Sequence, residues 1–199
     1  SLDSVAAALS VLEARALDLD GLVLNAGGTP PAGPDGRPQR TAAGIGVPFA
    51  VNVLGHTALA VGIHRAGLLR PGGIVVYAGS ETARGVPSMR LQPHSIHALA
   101  AEQQLTPAEA IVRFARLGHL DEARPVNEMT EYATHKLIGT LWMSAFARRL
   151  HKESAAVTIS PGSTHGTAAA EGGPLWMRFM AAVLTVSYTH LRAHETTVY

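Results

Sequence analysis

Tyr132 and Lys136 stand four residues apart in Tyr132-Ala133-Thr134-His135-Lys136, a spacing that puts both side chains on one face if the segment is helical. A phenol, with a reference pKa of about 10, is a poor acid–base group at neutral pH. A fixed ammonium beside it stabilises the phenolate and brings the value toward the working range. Ser80 follows the apolar run Ile74-Val75-Val76-Tyr77 by way of Ala78-Gly79, where its hydroxyl could donate to a substrate oxygen whose charge changes during hydride transfer. Asn52 interrupts an otherwise apolar stretch and requires a polar partner. Each feature has a plainer reading: the Tyr-Lys spacing also suits an exposed helix pair, and a serine at a strand end often bonds its own turn.

The elements that must position these residues follow from periodicity. Ser4 caps a helix whose apolar positions are Val5, Leu9, Leu12 and Leu17. Leu22-Val23-Leu24, closed by Asn25-Ala26-Gly27-Gly28, reads as a buried strand. Residues 29–40, with four prolines and two glycines, form a loop. A long apolar helix is expected over Thr41–Leu69, with Pro48 near its start and Pro71-Gly72-Gly73 as its stop. Ile74–Tyr77 is a second strand. From Val86 to Asn127 the pattern loosens into an inserted segment, whose firm element is a helix opened by Thr106-Pro107-Ala108-Glu109. A strong helix spans Asn127–Leu150, a third strand Ala155–Ser160 is broken by Pro161-Gly162, and a last helix covers about Glu171–Val186. Strands separated by long helical connections must be parallel. The fold class is therefore α/β, a partial doubly wound Rossmann-type sheet with helices on both faces, with ligands at the carboxyl ends of the strands.

Composition removes several other classes of function. The chain has 199 residues, 16 basic against 15 acidic side chains and no cysteine. A near-neutral balance gives no basic footprint for nucleic acid. The absence of cysteine removes disulfides, thiol catalysis and thiolate zinc sites. No apolar run approaches the roughly 20 residues of a membrane span, and no signal peptide opens the chain, so a cytoplasmic protein is expected.

With these residues in view, the chain resembles the short-chain dehydrogenases and reductases. The resemblance rests on Asn25-Ala26-Gly27 after a strand, Asn52-Val53-Leu54-Gly55 in the next helix, Gly79-Ser80 after the next strand, Tyr132 through Lys136 on a helix, and Ser160-Pro161-Gly162 after the last strand. The ordered set, more than any member, is specific. It implies an NAD- or NADP-dependent oxidoreductase that interconverts an alcohol and a carbonyl. By resemblance, Tyr132 is the acid–base residue, Lys136 lowers its pKa and binds the nicotinamide ribose, Ser80 orients the carbonyl, and Asn52 completes a water-linked proton path to Lys136. Asn25, Ala26 and Gly27 then steady the sheet beside the cofactor, Pro161 and Gly162 lie against the nicotinamide, and Thr167, or Thr164, contacts its phosphate-amide end. The implied partner is a small alcohol or carbonyl compound, and the implied assembly a homodimer or homotetramer through the long helices.

The chain departs from the family pattern in three places. Ser80 and Tyr132 are farther apart than usual, which makes 86–127 an insertion over the substrate mouth. Neither Thr164 nor Thr167 falls on the usual position. No glycine-rich phosphate loop precedes the Asn25 strand, so residues 1–186 are expected to be an incomplete cofactor-binding domain, poorly stable and inactive alone. Residues 187–199 resemble translated sequencing-adaptor read-through and are set apart as a non-native tail. Two further readings are a sugar-nucleotide epimerase or dehydratase of related fold, and a non-catalytic cofactor-binding protein. His94 and His97 are expected in a solvated loop, His135 on the helix surface, and His56 and His64 at the core margin or a subunit contact.

Overall fold

The computed structural model describes residues 1–28, 39–117 and 127–161. Helix α1 (Leu2–Ala14) leads to strand β1 (Leu19–Leu24). A helical segment then begins as α2 (Val47–Phe49), passes through a π-helical turn at Ala50–Leu54 and continues as α3 (Gly55–Arg65). Strand β2 (Leu69–Ala78) follows, then short 3-10 turns at Glu81–Arg84 and Pro87–Met89. Helices α4 (Ile96–Glu102), α5 (Pro107–Leu117) and α6 (Glu128–Ala147) precede strand β3 (Ala155–Ile159). The strands pair in the order β1-β2-β3, parallel throughout. This is the α/β arrangement with a parallel sheet that the alternation of elements predicts.

Register decides which side chains share a face. Leu24 pairs with Tyr77, Leu22 with Val75, and Tyr77 with Thr158. On that face Leu24, Val75 and Tyr77 are buried against Ala60 of α3 and against Met143 and Phe146 of α6. On the opposite face Val23, Ile74 and Ile159 are exposed, Val23 at 69%. Helices α3 and α6 thus cover one side of the sheet among the described residues. The last expected helix, 171–186, lies outside them, as does the tail.

A second core lies beside the sheet. Phe49, Val53, Leu99, Phe114, Ala115 and Ile138 pack together, so α4 and α5 of the expected insertion are anchored on α2, on the π turn and on α6. Helix α5 opens with the expected capping box, in which Thr106 N–H and its hydroxyl both donate to Glu109 Oε2 at 2.8 Å.

Several boundaries differ from expectation. The helix placed over Thr41–Leu69 begins at Val47, because Pro48 suits a first turn and the preceding backbone is tied by the Arg40–Gly46 bridge. It ends at Arg65 rather than at the Pro-Gly-Gly sequence. Pro71-Gly72-Gly73 instead lies within β2, where the register jumps from Leu19↔Leu69 to Gly21↔Ile74. Ser1 caps α1, and Ser4 is the reciprocal member of that capping box. The segment Val47–Arg65 is 19 residues long and apolar enough by composition to cross a membrane. Its Phe49, Val53, Ala60 and Ile63 are buried in the protein's own core, as in a core helix.

Candidate active site at the carboxyl ends of the strands

Helix α6 carries the Tyr-Lys pair and is fixed at its start. Asn127 caps it, accepting from Thr130 N–H at 3.2 Å. One turn on, Thr134 is fully buried, donates to the Thr130 carbonyl at 2.8 Å and accepts from His94 N–H at 2.9 Å. Tyr132 and Lys136 rise from the same face, toward the ends of β1 and β2.

The structure brings Ser80, Tyr132, Lys136 and Asn52 into one region. Ser80 lies beside the Tyr132 hydroxyl, near enough for its side chain to favour the phenolate. Ser80 Oγ is itself held by Thr82, accepting from its hydroxyl at 2.9 Å and from its N–H at 3.3 Å. Lys136 Nζ donates to the Ala78 carbonyl at 2.7 Å and lies 5.7 Å from the centre of the Tyr132 ring. Asn52 is fully buried. Its side chain accepts from Gly28 N–H at 3.0 Å and donates to the Gly28 and Pro48 carbonyls at 2.8 and 2.9 Å. Those bonds clamp the turn after β1 onto the π turn. Gly27 sits where a Cβ would come within 2.6 Å of Asn52 Oδ1 and 3.3 Å of Lys136 Nζ, so a side chain there would displace both.

Burial governs the protonation of the pair. Desolvation pushes the Tyr132 phenol above its usual value, and the neighbouring Ser80 side chain pulls it partly back. Desolvation also lowers the Lys136 ammonium to about 8. The expected lowering of Tyr132 by its lysine is therefore not the dominant effect here. Loss of water around the phenol is the larger influence.

The remaining expected contributors are placed less tightly. Asn25, Ala26 and Pro161 are exposed at the ends of β1 and β3. Gly162, Thr164 and Thr167 lie outside the described residues. A cleft of about 310 Å³ flanks Ser80, lined by Thr140, Leu141 and Met143 of α6 and by Ala156 and Thr158 of β3.

Sequence reasoning missed or misplaced several neighbours. His135, expected on the surface, is 1% exposed and lies between Phe49 and Phe114, with ring centres 5.8 and 5.1 Å away. An extra turn of core, supplied by α5, covers the side of α6 that a lone helix would leave to solvent. His94 is not free in a loop either: its Nε2 meets buried Glu131 Oε1 at 3.1 Å. Tyr77, read only as a strand residue, donates its hydroxyl to the Asn52 carbonyl at 3.0 Å. A Cβ at Gly139 would strike that hydroxyl. The pairing of a strand tyrosine with a helix glycine was the available signal, but neither residue reveals its partner without the register.

Among solved structures, the chain is similar to the crystal structure of the 3-alpha-hydroxysteroid dehydrogenase from Pseudomonas sp. B-0831 complexed with NADH. The identity is 24%, the TM-score 0.49, and the match covers 80% of this chain and 53% of that one. The chain thus spans about half the length of that structure. No protein-family model matches the chain, and no curated protein sequence matches it.

Proposed function

We propose that this chain carries the reactive half of an NAD(P)-dependent oxidoreductase of the short-chain dehydrogenase/reductase type, interconverting an alcohol and a carbonyl. The observation that carries the reading is the junction of Ser80, Tyr132 and Lys136: a hydroxyl beside a half-buried phenol whose ring faces an ammonium. A carbonyl oxygen entering there meets two hydroxyl donors at once. In the reducing direction Tyr132 gives its proton to the oxygen as carbon gains a hydride, and the alcohol leaves neutral. In the oxidising direction the phenolate takes that proton back. Burial keeps the phenol protonated at neutral pH, which suits the reducing direction. Ser80 holds the oxygen and supports its developing charge.

The nicotinamide group, when bound, supplies or accepts the hydride. Its ribose end fits the residues present. Lys136 has three N–H donors and gives one to Ala78, which leaves donors for ribose hydroxyls beside the bare backbone of Gly27 and Gly28.

The test is Tyr132→Phe in the complete parent protein that contains this chain, assayed at the reduced-nicotinamide band with NADH and NADPH against a panel of ketones and alcohols. Turnover is expected to fall by about 100-fold or more, with cofactor affinity by fluorescence titration essentially unchanged. Retained turnover overturns the reading.

A further inference from the structure

Lys136 is 3% exposed, and among the described residues no carboxylate pairs with its ammonium. A buried charge held by one carbonyl is poorly compensated. The titratable groups that face it do not supply the missing charge. Tyr132 and His135 come from its own helix, Tyr77 from β2 and His56 from α3. Burial first, and then Lys136 itself, lowers the pKa of both His135 and His56. Both imidazoles are therefore neutral neighbours. Neither ring nitrogen of His56 reaches hydrogen-bond geometry, although the Asn52 carbonyl lies near enough to pull its pKa weakly upward.

Two aromatic faces remain. Lys136 Nζ is 5.7 Å from the Tyr132 ring centre and only 5.1 Å from that of Tyr77. Both lie within the reach of a cation–π attraction, of which Tyr77 gives the closer. The Tyr77 ring is fixed at both ends. Its hydroxyl is bound to the Asn52 carbonyl at 3.0 Å, and the His56 ring meets it edge to face at 5.6 Å. The space for that hydroxyl is kept by Gly139, one turn beyond Lys136. An aliphatic residue at position 77 would fill the core but would need neither the glycine nor the carbonyl.

We propose that Tyr77 is a positioning residue for Lys136: its ring is the second aromatic platform that holds the ammonium against Tyr132, and its hydroxyl anchors that platform to the π turn. The inference rests on the proposed function only for what it means for turnover. The contact itself can be read without any cofactor or substrate.

The sequence makes the experiment simple, because Lys136 and Lys152 are its two lysines. In the full chain labelled with ¹³Cε-lysine, Lys152→Arg removes one signal and identifies the other as Lys136. In the unaltered chain, the Lys136 Hε protons should show nuclear Overhauser contacts to the Tyr77 ring, and the signal should titrate near 8. Tyr77→Leu should lower that midpoint by about one pH unit, whereas Tyr77→Phe, which keeps the ring, should leave it nearly in place. Absence of the Tyr77 contact in the unaltered chain overturns the proposal even if Tyr77→Leu fails to fold. So does a midpoint that Leu and Phe shift alike. Loss of the dehydrogenase reading would instead appear only in the Tyr132→Phe assay.

Discussion

His56 and His135 are buried with no hydrogen bond to either ring nitrogen, so each is held as a neutral ring by its surroundings. For His135 the desolvated site and nearby Lys136 lower the pKa from 6.5 to about 3. Between those values the unfolded chain binds a proton that the folded chain refuses. Stability contributed by this group is therefore present above pH 6.5 and lost as pH falls toward 3, at up to about 1.4 kcal/mol per pH unit. His135→Phe keeps an aromatic ring between Phe49 and Phe114 and removes the titration. Urea midpoints measured from pH 4 to 7 should fall less steeply in the variant; parallel slopes would refute this account. At this scale the sequence is most informative where a residue type is unusual for its element. Asn52 in an apolar helix stands out in that way, and Tyr132 with Lys136 stand out by their spacing. Tyr77, His56 and Gly139 look ordinary in their own elements and acquire meaning only through partners 21 to 62 residues away along the chain.

Helix α6 connects the site to the segment expected as an insertion. Its Glu131, adjacent to Tyr132, is buried and finds His94 across 3.1 Å, while Thr134 takes the His94 N–H. His94→Ala should leave the carboxylate buried without that partner and cost about 1–3 kcal/mol in denaturant unfolding. The double variant His94→Ala with Glu131→Leu should recover part of the loss, because replacing both partners removes the unpaired group. Equal losses in the single and double variants would show that the pair is not what holds the segment down. Helix α5 is legible from its capping box and its apolar period, and α6 from its length and its largely apolar run. Helix α4 is not, since seven residues provide too few turns for a pattern. The π turn leaves no mark in composition, because it arises from bonds that Asn52 and Tyr77 make in the folded chain.

At the scale of the molecule, among the described residues one face of the parallel sheet carries the core and the other presents Val23, Ile74 and Ile159. Val23→Thr and Ile74→Thr should each change unfolding free energy by no more than about 0.5 kcal/mol, whereas Leu24→Ala, on the covered face, should cost about 2–5 kcal/mol. A large loss at Val23 would mean that the open face is covered in solution. The alternation of strands and helices fixes the parallel order in advance. It also leads to the expectation of helices on both faces, whereas among the described residues α3 and α6 cover one face. The π turn has a consequence that reaches across the whole chain. The extra residue held between Ala50 and Gly55 sets the phase of every position after it, since an α-helix advances about 100° per residue. Were that turn rewound as plain α-helix, His56, Ala60 and Ile63 would swing off the sheet together. Insertions and deletions in this lineage should therefore be tolerated in the loops but not between Val47 and Arg65, where a one-residue change would have to be absorbed at the same bend.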